Sequence, residues 1–516
     1  MPRPAPESYR RLRALVAVEE SGTASLPVCE TFTGEQIADV PAGRASDVDR
    51  AIAVGSEAAE SWQRVPVSIR ARVLTRFAAL VLSHRQGLMD FIQAETGKAR
   101  ISALEEITDV VLNARYYGTN APRLLAPKRV QGMFPGFTKA VVHRRLKGVV
   151  GIISPFNFPA SLPVSDALPA LVAGNAVIVK PDPLTPSSLL ACAELLYEAG
   201  LPRDLFAVVT GNAQAIGMPL AAQVDYLAFT GSVAVGKSLG RTMGERLVGY
   251  SAELGGKNPM IIAAGANIGQ AAEEAARGCF ANSGQLCVSI ERIYVERSVA
   301  DEFITGFSAR VRRIKLAAGY EFDTEMGSQS SLQRFETVSK HVQDAVSKGA
   351  TVLAGGKPRP DLGPYFYEPT VLTGVTEDMM CHRDETFGPL VSVYPVDSVD
   401  EAVELANSLD VGLSASVWAG SDSEAERIGA RIKAGGINVN EGYAASWGST
   451  AAPTGGMKDS GIGRRHGEEG LLKYTEPQTI ATQRILGAGT PSWVSQKAWA
   501  IILPAMLRLL SRMPGR

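Results

Sequence analysis

Short, uninterrupted apolar runs alternate with helix-like segments along much of this chain, and this alternation limits the possible folds more than any other feature. The first runs lie at 149–153, 176–179, 206–209 and 226–229. A strand covered on both faces has a continuous apolar sequence, and the helices between such strands cover a parallel sheet. A second series runs from about 258 to 440. The sequence therefore predicts two α/β units that meet near residues 254–260.

Local signals predict individual elements within this frame. Thr185 followed by Pro186 indicates the start of a helix, and Gly200 indicates its end. Apolar spacing predicts further helices at 46–122, at 267–282 and from Val299 to about Leu316. Alternating or strand-like side chains predict shorter strands at 30–32, 138–147 and 479–483.

Composition excludes several classes of protein. The 516 residues are 45% apolar and 20% charged, as in globular proteins with an ample core. The net charge of −1 gives no basis for nucleic-acid binding, which needs a concentrated basic surface. The cysteines are few, odd in number and unpatterned: Cys29, Cys192, Cys279, Cys287 and Cys381. We therefore expect a cytoplasmic protein without disulfides, metal, secretory signal or membrane span.

One cysteine and one glutamate carry the strongest chemical signal. Cys287 follows a polar glycine turn at 282–285, and Glu253 follows a strand-like run and precedes two glycines. A thiolate can attack a carbonyl, and a carboxylate can activate the water that hydrolyses the resulting thioester. Alternatively, Cys287 is only a small buried apolar side chain, as most free cysteines are, and a lone Glu at a strand end is usually solvated.

Two further strings favour the chemical interpretation, namely 156–159 (Phe-Asn-Phe-Pro) and 385–389 (Glu-Thr-Phe-Gly-Pro). With Cys287 and Glu253, they resemble the NAD(P)-dependent aldehyde dehydrogenase superfamily, over about residues 30–485. The resemblance implies oxidation of an aldehyde to a carboxylic acid, with Cys287 as nucleophile and Glu253 as general base. It also implies that the side-chain amide of Asn157 and the backbone N–H of Cys287 stabilise the oxyanion.

The resemblance also implies an architecture: a Rossmann-like cofactor domain, an α/β catalytic domain and a small β oligomerisation arm. The expected boundaries are 1–130 and 148–254 for the cofactor domain, 255–440 for the catalytic domain, 131–147 and 470–490 for the arm, and 491–516 for a C-terminal tail. Such an arm pairs between subunits, so we expect a homodimer or homotetramer.

The predicted nucleotide site lies beyond the carboxyl ends of the first strands, where open parallel sheets bind ligands. The expected cofactor residues are Phe156, Asn157, Lys180, Pro181, Asp182, Pro183, Gly231, Ser232, Gly236, Leu254, Glu385 and Phe387. The segment from Gly231 to Gly236 follows a strand and opens a helix, so its N–H groups are expected to face a pyrophosphate. By resemblance, Lys180 binds the adenosine ribose and Glu385 the nicotinamide ribose.

Residues 180–183 also bear on the choice between NADP and NAD. Many NAD-preferring members of the family carry a Glu three positions after the lysine, and here that residue is Pro183. Without that carboxylate, Lys180 is able to pair with a 2′-phosphate, although Asp182 is also able to meet the ribose. The prediction is NADP, with NAD possible.

Further strings resemble one branch of the family, the second actinobacterial type of NADP-dependent succinate-semialdehyde dehydrogenase. They lie at 180–182, 284–292, 440–443, 447–449 and 463–467. The arginines that usually hold the substrate carboxylate are replaced by Ser165 and Ala281. Other groups with the chemistry to replace them are Arg292, Arg465 and Tyr443, so an uncharged aliphatic or aromatic aldehyde is the alternative substrate.

Two other functions remain as rivals. Acyl transfer to coenzyme A needs no base for water, so the presence of Glu253 argues against it. A non-catalytic binding or structural protein would have no need of Cys287, Asn157 and Glu253 together. The tail, 492–516, is apolar and basic, with Pro504 expected to interrupt any helix. It is predicted to pack on the protein body or a neighbouring subunit, to lie on a membrane surface, or to be disordered.

Overall fold

The computed structural model describes residues 3–19, 24–134, 137–484, 487 and 489–510. Its first elements, in chain order, are α1 (Pro6–Arg13), β1 (Ser25–Cys29), β2 (Gln36–Pro41), α2 (Ala45–Trp62), α3 (Val67–Ser83), α4 (Arg85–Thr96) and α5 (Arg100–Leu124). Leu74, Phe77 and Val81 recur at helical spacing on α3 and are buried where α3 packs against α5. The helices predicted over 46–122 are thus confirmed.

The strand predicted at 30–32 is wrong. β1 and β2 pair antiparallel, and residues 30–32 belong to the connection between them. Gly34 closes this connection with a φ of 76° and donates its N–H to the carbonyl of Glu30 at 2.8 Å. Phe32 is buried from within the turn, so its apolar side chain imitated a strand in the sequence.

The first large sheet follows two arm strands. The elements are β3 (Lys128–Gln131), β4 (Thr138–Leu146), β5 (Val149–Ile153), α6 (Ser161–Ala173), β6 (Ala176–Lys180), α7 (Pro186–Glu198), β7 (Phe206–Val208), α8 (Met218–Ala221), β8 (Tyr226–Gly231), α9 (Val233–Glu245) and β9 (Gly249–Leu254). Strands β9, β8, β5, β6 and β7 lie side by side in that order, and each neighbouring pair is parallel. Their buried, uninterrupted apolar sequences are what a parallel sheet covered by helices requires.

The second sheet begins at the predicted change-over. Its elements are β10 (Asn258–Ile262), α10 (Ile268–Phe280), β11 (Ile290–Glu296), α11 (Arg297–Arg312), α12 (Leu332–Ser347), β12 (Thr351–Ala354), β13 (Thr370–Thr373), α13 (Met380–Arg383), β14 (Leu390–Val396), α14 (Val399–Asn407), β15 (Val411–Gly412), β16 (Ser414–Trp418), α15 (Asp422–Gly429) and β17 (Gly436–Val439). The strand order is β12-β13-β14-β11-β10-β16-β17, with only the edge pair β12 and β13 antiparallel. The segments that lead into β10 and β11 carry Gly256 and Cys287.

The C-terminal segment returns to the first sheet. Its elements are α16 (Ala444–Gly448), β18 (Met457–Lys458), β19 (Gly461–Ile462), α17 (Gly467–Leu472), β20 (Thr475–Gln483) and α18 (Gln496–Leu510). β19 joins the edge of the first sheet beside β9, with Gly461 opposite Glu253. This short strand brings the chain after residue 440 to the end of β9, and so to one of the predicted catalytic groups.

The two strand-like ribbons predicted at 138–147 and 479–483 are confirmed as strands, and they pair with each other. β20 runs antiparallel to β4 from Thr475 opposite Leu146 to Gln483 opposite Thr138, and β3 covers the other edge of β4. Beyond Thr475 every residue of β20 is exposed. The result is a three-stranded arm that stands apart from both sheets.

Three helices differ from the predictions. α11 ends at Arg312, before the predicted Leu316, and α10 covers 268–280 within the predicted 267–282. α18 continues through Pro504, although an interruption was expected there. Pro504 leaves the carbonyl of Ala500 without its helical donor, and Ala500 is exposed to water, which lowers the cost. Among the described residues, no helix is both long and apolar enough to cross a membrane.

Candidate active site

The loop that carries Cys287 is held in one conformation by left-handed residues. After α10, Asn282, Ser283 and Gly284 have φ values of 50°, 56° and 71° in succession. A side chain at Gly284 would overlap the carbonyl group of Gly388, so only glycine fits there. Asn258 donates its side-chain N–H to the carbonyl of Cys287 at 2.8 Å. Cys287 is therefore presented on a rigid turn between the two sheets.

Cys287 is half-buried and lines two adjoining spaces, an apolar cavity and a cleft. Burial raises the pKa of this thiol to about 12, and the nearby carboxylates of Glu253 and Glu385 add to the shift. The resting group is therefore the neutral thiol. A nucleophile here needs a base that removes its proton as the new bond forms.

Glu253 lies on the wall of the same cleft, at the end of β9. Burial raises the pKa of its carboxyl group to about 7, and the positive charges of Arg465 and Lys473 limit the rise. A carboxyl group with this pKa is both an acceptor and a donor of protons near neutral pH, as general acid–base catalysis requires. The structure therefore places the predicted base and nucleophile on one cleft.

Asn157 is fixed by hydrogen bonds to Lys98 and to the loop that carries Cys287. Its backbone carbonyl accepts hydrogen bonds from Lys98 Nζ at 2.8 Å and Asn282 Nδ2 at 3.2 Å. Its own side-chain nitrogen donates to the carbonyl of Gln285 at 2.9 Å. An amide nitrogen carries two N–H groups, so one remains to meet a ligand oxygen. Asn157 and Cys287 line both spaces, which suits a shared oxyanion between them.

The cleft collects most of the predicted cofactor residues. Those that line it are Phe156, Asn157, Gly231, Ser232, Leu254, Glu385 and Phe387. The Ser232 side chain caps α9, so the positive N-terminal end of that helix opens onto the cleft. A Cβ on Gly255 would overlap the Glu385 carboxylate, which accepts a hydrogen bond from the N–H of Gly256 at 3.0 Å. These features fit a pyrophosphate at the helix end and a ribose beside the carboxylate.

The other predicted cofactor residues lie outside the lining of this cleft. Lys180 is the last residue of β6, opposite Ile153 at the end of β5, and Pro181 to Pro183 follow it. Gly236 donates its N–H to the carbonyl of Ser232 inside α9, so the expectation that this N–H faces a pyrophosphate is wrong. The reason is that α9 already begins at Val233. Gly236 is needed instead for close packing, because a Cβ there would overlap Leu254.

Sequence reasoning missed Arg334, which lines the cleft near Glu385 and Phe387. It lies in the first turn of α12, far along the chain from every motif, and nothing in its local sequence marks it. Its positive charge reaches both Asp182 and Glu385, whose pKa values burial raises and Arg334 helps to lower. Arg334 adds a cation to the predicted nucleotide site.

A buried ion cluster lies directly behind Glu253. Arg465 donates to Asp166 Oδ2 and to Thr230 Oγ1, each at 2.6 Å, and Lys473 donates to Asp166 Oδ1 at 3.0 Å. Burial pushes the pKa of Asp166 upward, but Arg465 and Lys473 hold it below its usual value. The Asp166 carboxylate therefore stays ionised and neutralises part of the positive charge that faces Glu253.

The apolar cavity has a volume of about 270 Å³ and meets the cleft at Cys287. The described residues that line it are Ile101, Leu104, Glu105, Thr108, Asp109, Leu112, Asn157, Phe158, Leu162, Leu286, Cys287, Val288, Tyr443, Ala444, Trp447 and Gly448. This set contains no lysine and no arginine. The cavity can hold a small organic substrate with its carbonyl at the sulfur.

Two of the three proposed substitutes for the usual carboxylate ligands are not in this cavity. Arg292 is buried and donates to backbone carbonyls, among them that of Lys257 at 2.8 Å. Arg465 is bound to Asp166, as described above. Only Tyr443 lines the cavity. Among the described residues, no group of three or more His, Cys, Asp or Glu side chains is placed to hold a metal ion.

Comparison with known proteins gives this arrangement a family. The sequence pattern of the aldehyde dehydrogenase family matches residues 17–480. A protein of Mycolicibacterium smegmatis, provisionally named NADP(+) succinate-semialdehyde dehydrogenase, is 56% identical over 100% of both chains. The protein of Mycobacterium tuberculosis provisionally named NADP(+) succinate-semialdehyde dehydrogenase 2 is 53% identical, again over 100% of both.

Solved structures agree. The crystal structure of succinate-semialdehyde dehydrogenase from Burkholderia pseudomallei superposes with a TM-score of 0.85 at 33% identity, covering 89% of this chain and 95% of that one. The predicted α/β fold class, with its Rossmann-like unit, is thereby confirmed. From the sequence match and the shared fold together, the chain belongs to the aldehyde dehydrogenase family.

Proposed function

We propose that this protein oxidises succinate semialdehyde to succinate with NADP. The observation that carries the proposal is the convergence of Cys287, Glu253 and Asn157 where the apolar cavity meets the cleft. The names of the full-length relatives at 53% and 56% identity support the choice of substrate and nucleotide.

Each of the three residues has a step for which its environment suits it. The sulfur of Cys287 attacks the aldehyde carbon while Glu253 accepts the thiol proton. The amide of Asn157 and the backbone N–H of Cys287 then hold the oxyanion, and the loss of one such donor typically costs ~3–4 kcal/mol of transition-state stabilisation. Hydride loss leaves a thioester on Cys287. Glu253 passes the thiol proton to solvent and, ionised again, accepts a proton from the water that hydrolyses the thioester.

The residues of the cleft fit a nicotinamide dinucleotide. When bound, that cofactor supplies the acceptor for the hydride. The end of α9 at Ser232 would hold its pyrophosphate, and the Glu385 carboxylate would hold a ribose. Lys180, whose ammonium group burial destabilises, gains most from a partner as strongly charged as a 2′-phosphate. Asp182 Oδ1 already accepts the N–H of Leu184 at 3.0 Å, so this oxygen is less available to the ribose hydroxyls of NAD.

The cavity lining favours a second candidate substrate. No basic side chain is among the described residues that line the cavity, and most of them are apolar. An uncharged aliphatic or aromatic aldehyde of similar size would bury its chain there without losing the hydration of a carboxylate. This is the observation that supports a general aldehyde dehydrogenase.

A substrate panel separates the two candidates. NADPH formation is followed for succinate semialdehyde, hexanal and benzaldehyde, and each assay is repeated with an equal concentration of NAD. We expect the highest kcat/KM with succinate semialdehyde and NADP. A clear preference for hexanal or benzaldehyde would move the assignment to uncharged aldehydes, and a large advantage for NAD would overturn the cofactor assignment. If Cys287→Ser turned over at the full rate, the mechanism itself would fail.

We further propose an oligomeric state, a division into domains and a cellular location. The exposed β20 and the arm that it forms with β4 support assembly into a homodimer or homotetramer. The division into a cofactor domain, a catalytic domain, an arm and a tail, with the boundaries given above, follows the two sheets and the arm. Unpaired cysteines and the family support a cytoplasmic enzyme. Light scattering on the purified protein tests the oligomeric state, and fractionation of the producing cells tests the cytoplasmic location.

A further inference from the structure

A charged cluster stands on the wall of the substrate cavity, and the mechanism above does not use it. Tyr443 donates its hydroxyl to Glu105 Oε2 at 2.8 Å, and both residues line the cavity. The Arg277 guanidinium lies 3.7 Å from Glu105 Oε1 and 4.9 Å from the centre of the Tyr443 ring. Its remaining nitrogens pair with Glu274 at 3.2 Å and with Glu441.

This cluster already binds a carboxylate. A phenol hydroxyl and a guanidinium on either side of one carboxylate are the donors that proteins use to bind such a group. Here the bound carboxylate belongs to Glu105, a residue of α5. Tyr443 also packs in the apolar group that Cys287 contacts, so the cluster and the sulfur border one short cavity.

The pair between Glu105 and Arg277 is weak, and an incoming carboxylate would take over the 2.8 Å hydrogen bond from Tyr443. The Glu105 side chain is 36% exposed and that of Arg277 is 34% exposed, so the carboxylate has a path to solvent. An ion pair this open and this long contributes little to stability. Tyr443, in contrast, is buried and remains as a fixed donor.

We propose that Arg277 and Tyr443 bind the distal carboxylate of the substrate, and that Glu105 is an internal competitor which the substrate displaces. The proposal rests on the proposed function, because it concerns which aldehydes that active site accepts. The exchange replaces one carboxylate at Arg277 by another, so Arg277 keeps the same number of carboxylate partners. It explains how a cavity whose described lining residues include no basic side chain accommodates an anionic aldehyde.

The second acidic residue of the cavity is already engaged. Asp109 accepts hydrogen bonds from Trp447 Nε1 at 3.0 Å and from the hydroxyl of Ser161. Burial raises the pKa of Asp109 to about 6, and these bonds partly offset the rise. Asp109 is mostly ionised at pH 7, but these bonds hold it in place, so Glu105 is the acidic residue of the cavity whose place at Arg277 a substrate can take.

The test compares variants on succinate semialdehyde and on butanal, which has the same carbon chain without the carboxylate. Glu105→Gln should lower KM for succinate semialdehyde by about fivefold, since a neutral amide competes less well for Arg277. Arg277→Gln and Tyr443→Phe should each raise it by about tenfold, the usual effect of losing one hydrogen bond to a charged group. Butanal is the reference, so the ratio of KM for succinate semialdehyde to KM for butanal should shift in these directions by about the same factors.

Two controls guard against indirect effects. Glu274→Gln removes another partner of Arg277 that does not line the cavity, so it should leave both KM values within about twofold of the wild type. Arg277→Lys keeps the charge and should retain part of the preference that Arg277→Gln loses. Thermal unfolding of each variant shows whether it is folded.

Inhibition by succinate, measured against butanal and NADP, gives a readout that does not depend on the physiological substrate. Glu105→Gln should bind succinate about fivefold more tightly than the wild type, and Tyr443→Phe about tenfold more weakly. Unchanged or weaker inhibition in Glu105→Gln would overturn the proposal. So would a wild-type preference for 3-aminopropanal that Glu105→Gln abolishes, because the site would then bind a cation. If the wild type reduced NADP with none of the aldehydes, the proposed function itself would be wrong.

Discussion

In the proposed mechanism, Cys287 gives up one proton and Glu253 accepts it. The thiol, with its pKa raised to about 12, holds the proton, and the carboxyl group, with its pKa raised to about 7, takes it only when ionised. Both shifts come first from burial, which disfavours the charged form of each group. The fraction of active enzyme is therefore set by the ionisation of Glu253, and catalysis should follow the pH dependence of that group.

We expect kcat/KM to rise about tenfold per pH unit below pH 7 and to level off above it, because protonated Glu253 cannot accept a proton. Glu253→Gln should lose about 10²- to 10⁴-fold in kcat and should also lose this acidic limb. The measurement is a pH profile of NADPH formation at saturating nucleotide. Glu95 is a matched control, because burial also raises its pKa to about 7, but it binds Ser187 and Ser188 away from the site. If Glu253→Gln kept the limb, another group, such as Glu385, would be the one that titrates.

Arg465 acts on catalysis through Glu253, whose pKa it helps to hold down. In Arg465→Met that attraction is lost, so the acidic limb should move to higher pH. The buried Asp166 would also lose its 2.6 Å partner, and breaking a buried pair costs up to about 3–5 kcal/mol of stability. pH profiles and denaturant unfolding measure the two effects. Arg465→Lys, which keeps the charge, should keep the limb near its original pH. A limb that did not move in Arg465→Met would show that Arg465 has a structural role only.

At the same scale, the sequence predicted some site residues and not others for an identifiable reason. Cys287, Glu253 and Asn157 stand in motifs whose residue types carry the chemistry, and the structure brings all three to one place. Arg334 and the pairing of Glu105 with Arg277 have no local signal, because their meaning arises only where α5, α10 and α12 meet the cavity or the cleft. The replacement of the usual arginines was visible in the sequence, but the positions of Arg292 and Arg465 were not.

Among the elements, the buried parallel strands were predictable, because burial on both faces leaves a continuous apolar signature. The two-residue strand β19 was not, since Gly461 and Ile462 are defined only by their pairing with β9. The strand predicted at 30–32 is wrong because Phe32 is buried by a turn and not by a sheet. The break predicted at Pro504 is wrong because α18 continues through this proline, where the neighbouring residues are exposed. Local sequence thus predicts an element best when its surroundings are uniform along its length.

The loop between α10 and β11 should depend on Gly284. Gly284→Ala would place a methyl group against the carbonyl of Gly388 in a backbone region with φ of 71°, so we expect a loss of more than about 2 kcal/mol in stability and a large loss of kcat. Gly374 has the same φ, but a methyl group there would meet no atom within 4 Å, which makes it a matched control. Gly374→Ala should cost about 1–2 kcal/mol and leave kcat unchanged. Equal effects of the two substitutions on kcat would contradict this account.

At the scale of the whole molecule, the C-terminal tail and the arm belong together. β20 ends at Gln483 and α18 begins at Gln496, so the tail leaves directly from the arm. α18 buries Trp499 but exposes Ile501, Ile502 and Leu507 on this chain. Side chains of this kind are costly to leave in water, and in the proposed homodimer or homotetramer a subunit paired through the arm would offer a surface to cover them.

Deletion of residues 490–516 should therefore weaken assembly and not only remove a surface helix. In light scattering during dilution, we expect the truncated protein to dissociate at higher concentrations than the full chain. The kcat per subunit should stay within about twofold, because none of the tail residues that the structure describes lines the cavity or the cleft. The competing interpretation has a distinct result. The tail would be assigned to a membrane surface if anionic vesicles sedimented the full chain but not the truncated one, and if this binding depended on salt. Assembly would then be unchanged by the deletion.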